Sequence, residues 1–139
     1  MIETLKYEDL GQYKELIDAC FGNSNSLEEY QKGYKNPNGY EIIVSKGAGA
    51  ITGSITYLKV DLFTFDFQPC IMIFNVSVLP EFRGQKIGKG LVEYIINYAK
   101  EHGYKSISLT CLNDAYDAQR LYESMGFKKT DSIKYNLDL

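Results

Sequence analysis

Arg83, Lys86 and Lys89 lie close together in Pro80-Glu81-Phe82-Arg83-Gly84-Gln85-Lys86-Ile87-Gly88-Lys89-Gly90, interleaved with three glycines. The apolar run from Cys70 to Val78 leads into this segment, and Ile87, Leu91, Ile95 and Ala99 follow at helical spacing. The pattern predicts a strand, a glycine-bearing loop and a helix to about His102. Free N–H groups at a helix start attract anions, and glycine lets a phosphate approach the backbone closely. An anion held at such a helix start gains about 0.3–1 kcal/mol, and up to ~2 kcal/mol when partly buried, and the three cations add positive charge at the same place. A diphosphate is the natural occupant. A P-loop would need Gly-x4-Gly-Lys-Ser/Thr, which is absent. A dinucleotide fingerprint would follow the first strand of a doubly wound sheet, whereas this loop comes after four candidate strands. The plain alternative is a solvent-facing turn and helix cap.

A second segment changes that balance. Leu109-Thr110-Cys111-Leu112-Asn113 ends a strand, and Ala118-Gln119-Arg120-Leu121-Tyr122-Glu123-Ser124-Met125-Gly126-Phe127 reads as helix, glycine stop and strand start. Together the two segments resemble the GNAT superfamily of acetyl-CoA-dependent N-acetyltransferases. Arg83-Gly84-Gln85-Lys86-Ile87-Gly88 is similar to that family's pyrophosphate loop, in the frame set by Pro80. Gln85-x-x-Gly88-x-Gly90 also fits the letters, shifted by two. Ala118-x-x-Leu121-Tyr122-Glu123-x-x-Gly126-Phe127 is similar to the family's last-helix motif. The specific match covers about residues 71 to 127.

The resemblance implies a single domain over residues 1–139, an α/β (α+β) fold with a mixed, mostly antiparallel twisted sheet. Its sheet would splay at two parallel central strands and carry about four helices. It also implies acetyl-CoA as cosubstrate, with no metal, and a primary amine of a small molecule or peptide as acceptor. Val76, Ser77 and Val78 would line the cofactor arm, the amides of Val76 and Val78 polarising the thioester carbonyl. The loop Arg83, Gly84, Gln85, Lys86, Ile87, Gly88 and Lys89 would take the diphosphate, and Tyr122 would protonate the leaving thiolate. Three positions depart from the family. Lys86 stands where the first loop glycine is usual, and must accept that position's φ. Ala115 replaces a frequent asparagine, for which Asn113 is the expected substitute. Phe74, beside Asn75, replaces a frequent glutamate, which leaves the general base unassigned. A non-catalytic acyl-CoA sensor is the alternative, and a partner-binding domain with a merely structural loop the third reading.

The acceptor would be walled by the two N-terminal helices and the Phe63–Phe67 loop, with Tyr30, Tyr34, Phe65 and Asp66 suiting a small amine better than a large anion. Asp114, Asp117, Glu28 and Glu29 are candidate bases, though exposed helix charge is usually solvated. Hydrophobic spacing predicts a strand at 2–7 and a helix at 8–20. Ser26 with Glu29 forms a capping-box signal for a helix to about Lys35, broken by Asn36-Pro37-Asn38-Gly39. Strands at 41–45, 50–61, 70–78 and 105–111, a helix from 115 or 117 to 125, and one or two strands in 127–137 complete the order.

The chain's 139 residues set the prior at one domain, with enough length for a core. Hydrophobic residues at 45% and charged residues at 24% exclude global disorder. A net charge of −3, from 15 basic and 18 acidic residues, argues against a nucleic-acid coat. No apolar run reaches membrane-spanning length and the N-terminus reads as no signal peptide, so a cytoplasmic protein is expected. Three scattered cysteines form no zinc or disulfide framework, and Cys20, Cys70 and Cys111 are expected to be buried. His102, the only histidine, sits at a helix end, where a cation favours the dipole. The family resemblance also implies a homodimer, in which the C-terminal strand could pair across a two-fold.

Overall fold

The computed structural model describes residues 1–35 and 39–139, with Phe65 described in its backbone alone. The predicted helix break at Asn36-Pro37-Asn38 lies outside the described residues. The sheet is built around β3 (Ala50–Val60), whose residues 51 to 57 are all buried. It pairs antiparallel with β2 (Tyr40–Gly47), which pairs antiparallel with β1 (Ile2–Thr4). On its other side β3 pairs with β4 (Cys70–Ile73) and, beyond an irregularity, with β5 (Ser77–Val78). β6 (Ser106–Ser108) runs parallel to β4 and ends the sheet.

Two apolar layers clamp β3. Ile55 and Tyr57 pack with Ile71, Ile73 and the stripe Leu91, Val92, Ile95 and Ala99 of helix α3 (Ile87–Glu101). On the opposite face, Val44 and Ile51 pack with Leu10, Tyr13, Leu16 and Ile17 of helix α1 (Leu10–Phe21). Helix α2 (Leu27–Lys35) lies against α1. Its capping box forms as expected: Glu29 N–H donates to Ser26 Oγ, and Ser26 N–H to Glu29 Oε1, both at 3.2 Å. Helix α4 (Tyr116–Ser124) follows β6, and its Tyr122 joins the α3 side of the core.

The predicted run of four helices and a mixed, mostly antiparallel sheet is present, with three differences. The first strand ends at Thr4, and a turn of 3-10 helix at Tyr7–Asp9 starts the helix instead. β6 covers only 106–108 and lies at the sheet edge, so one of the two parallel strands is not central. Residues 128–139 form no strand, despite their alternation, because no neighbouring strand supplies hydrogen bonds. The same lack of a neighbour leaves Cys111 exposed rather than buried; Cys20 and Cys70 are half-buried.

Candidate active site

The strand that carries the expected cofactor-arm residues is broken by a bulge. Phe74 N–H donates to the Thr56 carbonyl at 2.7 Å, while Ser77 pairs with Ser54 and Leu79 N–H donates to the Thr52 carbonyl at 2.9 Å. One more residue is spent here than on β3, and Asn75 and Val76 take up the excess. With Leu79 bonded towards β3, strand alternation turns the backbone groups of Val78 and Val76 to the opposite edge. That edge is open. β4 and β6 pair only from Cys70↔Ser106 to Met72↔Ser108, and past this point the two parallel chains share no register. The result is a V-shaped gap with Val76–Val78 on one side and Leu109–Leu112 on the other.

The glycine loop lies at the head of this gap. Pro80–Phe82 makes one 3-10 turn, and Gly84, at φ +83°, reverses the chain. Lys86 caps α3 in the left-handed region, φ +63°, where glycine would be free of steric cost. The family's missing glycine is thus a lysine holding the glycine conformation. Gly90 N–H bonds the Lys86 carbonyl at 3.0 Å, while the earlier amides, Ile87, Gly88 and Lys89, are those a helix start leaves without intrahelical partners. The three cations come together but are not equivalent. Arg83 Nε donates to the Val78 carbonyl at 3.2 Å, tying loop to strand. Lys89 pairs loosely with Glu93 at 3.9 Å, and Lys86 is exposed.

Gly53, which sequence reasoning passed over, fixes this loop against the sheet. A Cβ there would stand 2.8 Å from the Ser77 carbonyl and 2.9 Å from Ile87 Cγ2. The available signal was a glycine inside an otherwise β-branched strand, a mark of close backbone approach. Gln119 was passed over as well: its Nε2 donates to the carbonyls of Leu112 (2.8 Å) and Asn113 (3.0 Å), holding the far wall of the gap. Asn113 therefore enters the site through its backbone, with its side chain exposed.

Tyr122 is half-buried, stacked edge-on against Phe127 with ring centroids 5.9 Å apart. Burial pushes its phenol above the usual tyrosine value, and the neighbouring Cys111 thiol adds to the shift. The group stays protonated at neutral pH, as an acid must.

On the α1 side a cleft of about 980 Å³ reaches the bulge at Phe74 and Asn75. Tyr13, Tyr30, Tyr34 and Tyr40 line it, together with Glu29 and Glu41, and no Lys, Arg or His is among its described lining residues. The Glu41 carboxylate is engaged by the Tyr57 hydroxyl and by Lys59 at 2.8 Å. That leaves Glu29 as the cleft-lining carboxylate with no cation paired to it among the described residues. Tyr13 is driven up to about 12 by burial, against hydrogen bonds from Thr56 and Ser54 that lower it. Ser54 in turn meets Ser77 at 2.8 Å, so buried hydroxyls run from the cleft floor to β5. Among the described side chains of the Phe63–Phe67 loop none lines the cleft, and Phe63 and Phe67 stand exposed; the expected contribution of Phe65 lies outside the described side chains. Of the other expected bases, Glu28 pairs with Lys32 on the surface, Asp117 with Arg120, and Asp114 is exposed.

Among the described residues no group of metal-binding side chains occurs, and no helix is long and apolar enough to cross a membrane. Residues 10–127 match the acetyltransferase (GNAT) family. An uncharacterized N-acetyltransferase of Schizosaccharomyces pombe is 30% identical, over 93% of this chain and 82% of that protein. Human N-acetyltransferase 8B is 33% identical over 75% of this chain but only 45% of its own length, and this chain spans about half of the other N-acetyltransferase 8 relatives too. A crystal structure described as a transcriptional regulator from Bacillus halodurans superposes with a TM-score of 0.83 at 26% identity, covering 99% of each chain. With both motifs in place around the splayed strands, the chain belongs to the acetyltransferase (GNAT) family, whose members are acetyl-CoA-dependent acyltransferases.

Proposed function

We propose that this protein is an N-acetyltransferase that moves the acetyl group of acetyl-CoA directly to a primary amine. The observation that carries the reading is the open gap beside the bulge, with donors on one side and a protonated phenol on the other. A pantetheine arm fits such a gap because its amides can add to an unpaired strand edge as a further strand would. The amides of Ile87, Gly88 and Lys89, with Arg83, Gly84, Gln85 and the Lys86 charge, would hold the diphosphate at the start of α3. Asn113 would border the arm on the far wall.

When bound, acetyl-CoA supplies an activated acyl thioester. The Val76 and Val78 amides, on either side of the Ser77–Ser54 pair, would donate to the acyl oxygen as charge develops there. A preorganised donor of this sort is worth about 3 kcal/mol. Tyr122 gives its phenolic proton to the leaving sulfur and recovers one from solvent. Ser77 acts one step back: its hydroxyl, locked to Ser54, sets the strand that presents these amides.

The acceptor enters by the tyrosine-lined cleft. A cleft whose described lining residues include carboxylates and no Lys, Arg or His favours a positively charged amine and disfavours an anionic acceptor, and aromatic faces stabilise a cation by about 0.5–2 kcal/mol each. Glu29 steers the ammonium to the cleft, where the amine passes its proton to water before attack.

The test is release of free thiol from acetyl-CoA across a panel of amines. Turnover with cationic amines and little with anionic amino acids is the expected result. Binding of acetyl-CoA without thiol release from any amine would favour the non-catalytic sensor, which the missing carboxylate at Phe74 keeps as the second reading. No binding at all would remove both.

A further inference from the structure

We propose that the acceptor is a polypeptide, gripped beyond the cleft by an apolar shelf on the α1 side of the sheet. The inference rests on the acetyl-transfer reading above and narrows its substrate to a chain with apolar side chains beside the reacting amine. Residues of β3 and β4 alternate between the two faces of the sheet. Tyr57, Ile71 and Ile73 turn to the α3 side and are buried. Leu58 and Met72, opposite each other in the ladder, turn to the other side, as does Phe74 just past β4. Helix α1 packs on that face at Val44 and Ile51 and leaves its β4 half uncovered. Met72 therefore stands 38% and Phe74 45% exposed, within a run apolar enough for a core.

The strip continues past the strands. The connection from β3 to β4 presents Leu62 and Phe63, with the Phe67 ring 6.4 Å from that of Phe63 and both rings 73% exposed. Asp66 and Phe67 hold φ of +55° and +56°, a region that costs any residue with a Cβ, so the aromatic pair is turned outward against local preference. Single apolar side chains on a surface are ordinary, but a contiguous strip is a mark of binding. This strip is continuous with the acceptor cleft, since Leu58 and Phe74 line the cleft and Met72 sits beside Leu58. An amine at the bulge thus has the shelf alongside it. From Phe74 back to Cys70 an extended chain covers about 13 Å, and the connection lengthens the path. That reach suits several residues of a peptide and is too long for one small amine. The exposed carboxylates Asp61 and Asp66 border the far end as Glu29 borders the cleft, which favours a peptide with basic residues.

Thiol release from acetyl-CoA tests this with lysinamide and two short peptides of equal length that begin with lysine. One peptide continues in alternating leucine and serine, the other in serine alone. The variants are Met72→Ser in β4 and Leu62→Ser/Phe63→Ser in the connection. All three residues are exposed and none lines the cleft, and the second variant touches no strand, so it serves if the first fails to fold. The expected result is a kcat/KM for the leucine peptide about tenfold or more above the serine peptide and lysinamide, carried by KM. Each variant should bring the leucine peptide down towards the serine peptide and leave lysinamide unchanged. Equal values for the two peptides, or release from small amines but from neither peptide, overturn the proposal while acetyl transfer stands. A leucine preference that survives the folded variants overturns it too, as does an equal loss with lysinamide, which would make these residues supports of the fold. Sedimentation of the same samples covers the other occupant: a dimer that Leu62→Ser/Phe63→Ser splits would seat a second copy on the shelf and overturn the proposal. Absence of thiol release from every amine removes the acetyl-transfer reading, and this inference with it.

Discussion

The two walls of the cofactor gap are built to different standards. On the β4–β5 side, Ile71, Ile73 and Ser77 are no more than 4% exposed, with α3 packed on one face of the strand and β3 paired along its edge. On the β6 side, Ile107 and Leu109 are half-buried while Cys111 and Leu112 are exposed, and the strand is three residues long. The first wall carries the donors that must not move, because preorganisation is what makes a backbone amide effective as charge develops. The second carries the surroundings of Tyr122 and depends on Gln119 and α4. The difference predicts that changes to the first wall act on folding and rate together, whereas changes to the second act on rate alone.

The largest effect on that account is Tyr122→Phe. Loss of the acid should lower kcat by about 10²–10⁴-fold, with acetyl-CoA affinity nearly intact and the melting temperature little moved. Stopped assays under conditions where chemistry limits the rate would measure it; equal turnover by variant and parent removes Tyr122 from the mechanism. The pH profile sharpens the assignment. Burial raises this phenol, so the acid-competent form persists to higher pH, and the basic limb of kcat should fall above about pH 10, the value of an unperturbed tyrosine. A basic limb well below that point would assign the proton to another group.

Next in size is Gly53→Ala, which tests the rigid wall directly. The new Cβ meets backbone at 2.8 Å, and backbone cannot swing aside as a flexible side chain would. Overpacking of this kind costs about 1–3 kcal/mol, and here it should also push the start of α3 away from the sheet. We expect a melting temperature lower by several degrees and weaker acetyl-CoA binding by calorimetry. Gly88→Ala is the control, because its Cβ would find only Val78 and Val76 methyl groups at 3.7 and 3.9 Å. Equal melting temperatures for the two variants would show that the loop is not pinned through Gly53.

Ser77→Ala reads the same wall more gently. It leaves the buried Ser54 hydroxyl without its 2.8 Å partner, but Tyr13 lies within reach, so the cost should fall near the low end of about 1–3 kcal/mol. The double variant Ser54→Ala/Ser77→Ala should be no less stable than the single one, since removing both partners leaves no orphaned group. Additive losses in denaturant melts would contradict the pairing.

How much of this could be read from the residues depends on whether the deciding interaction is local. The α3 stripe, the Ser26–Glu29 box and the Tyr122–Gly126 motif are written in spacings of three or four, and the helices appear where those spacings put them. The bulge at Asn75–Val76 was not legible, because it exists only in the register between β3 and its neighbour, and the apolar run from 70 to 78 reads as one strand. Cys111 was misplaced for a related reason: burial at the end of β6 requires a neighbour that local pattern cannot supply. The tail shows the limit most plainly, since Ile133 to Leu139 alternate as a strand would while no strand forms there. In the cleft, Tyr30 and Tyr34 were found through α2, whereas Tyr13 and Tyr40 needed the sheet to bring them in.

The smallest predicted effect concerns Lys86, the residue joining the rigid wall to the anion loop. At φ +63° a side chain with Cβ costs about 1–2 kcal/mol relative to the right-handed region. Glycine escapes that cost but loses about 0.5–1 kcal/mol through the freedom it gains when unfolded. Lys86→Gly should therefore stabilise the fold by roughly the difference, some 0.5–1 kcal/mol. The same change removes an exposed ion pair worth about 0.2–1 kcal/mol to a bound anion, which is a loss of up to about fivefold in affinity. Stability and acetyl-CoA affinity should thus move in opposite directions, and the affinity loss should shrink as salt is added, because the lysine is exposed and screened. If both rose together, the lysine would contribute strain without charge assistance, and the diphosphate would be held by the amides of α3 and by Arg83 alone.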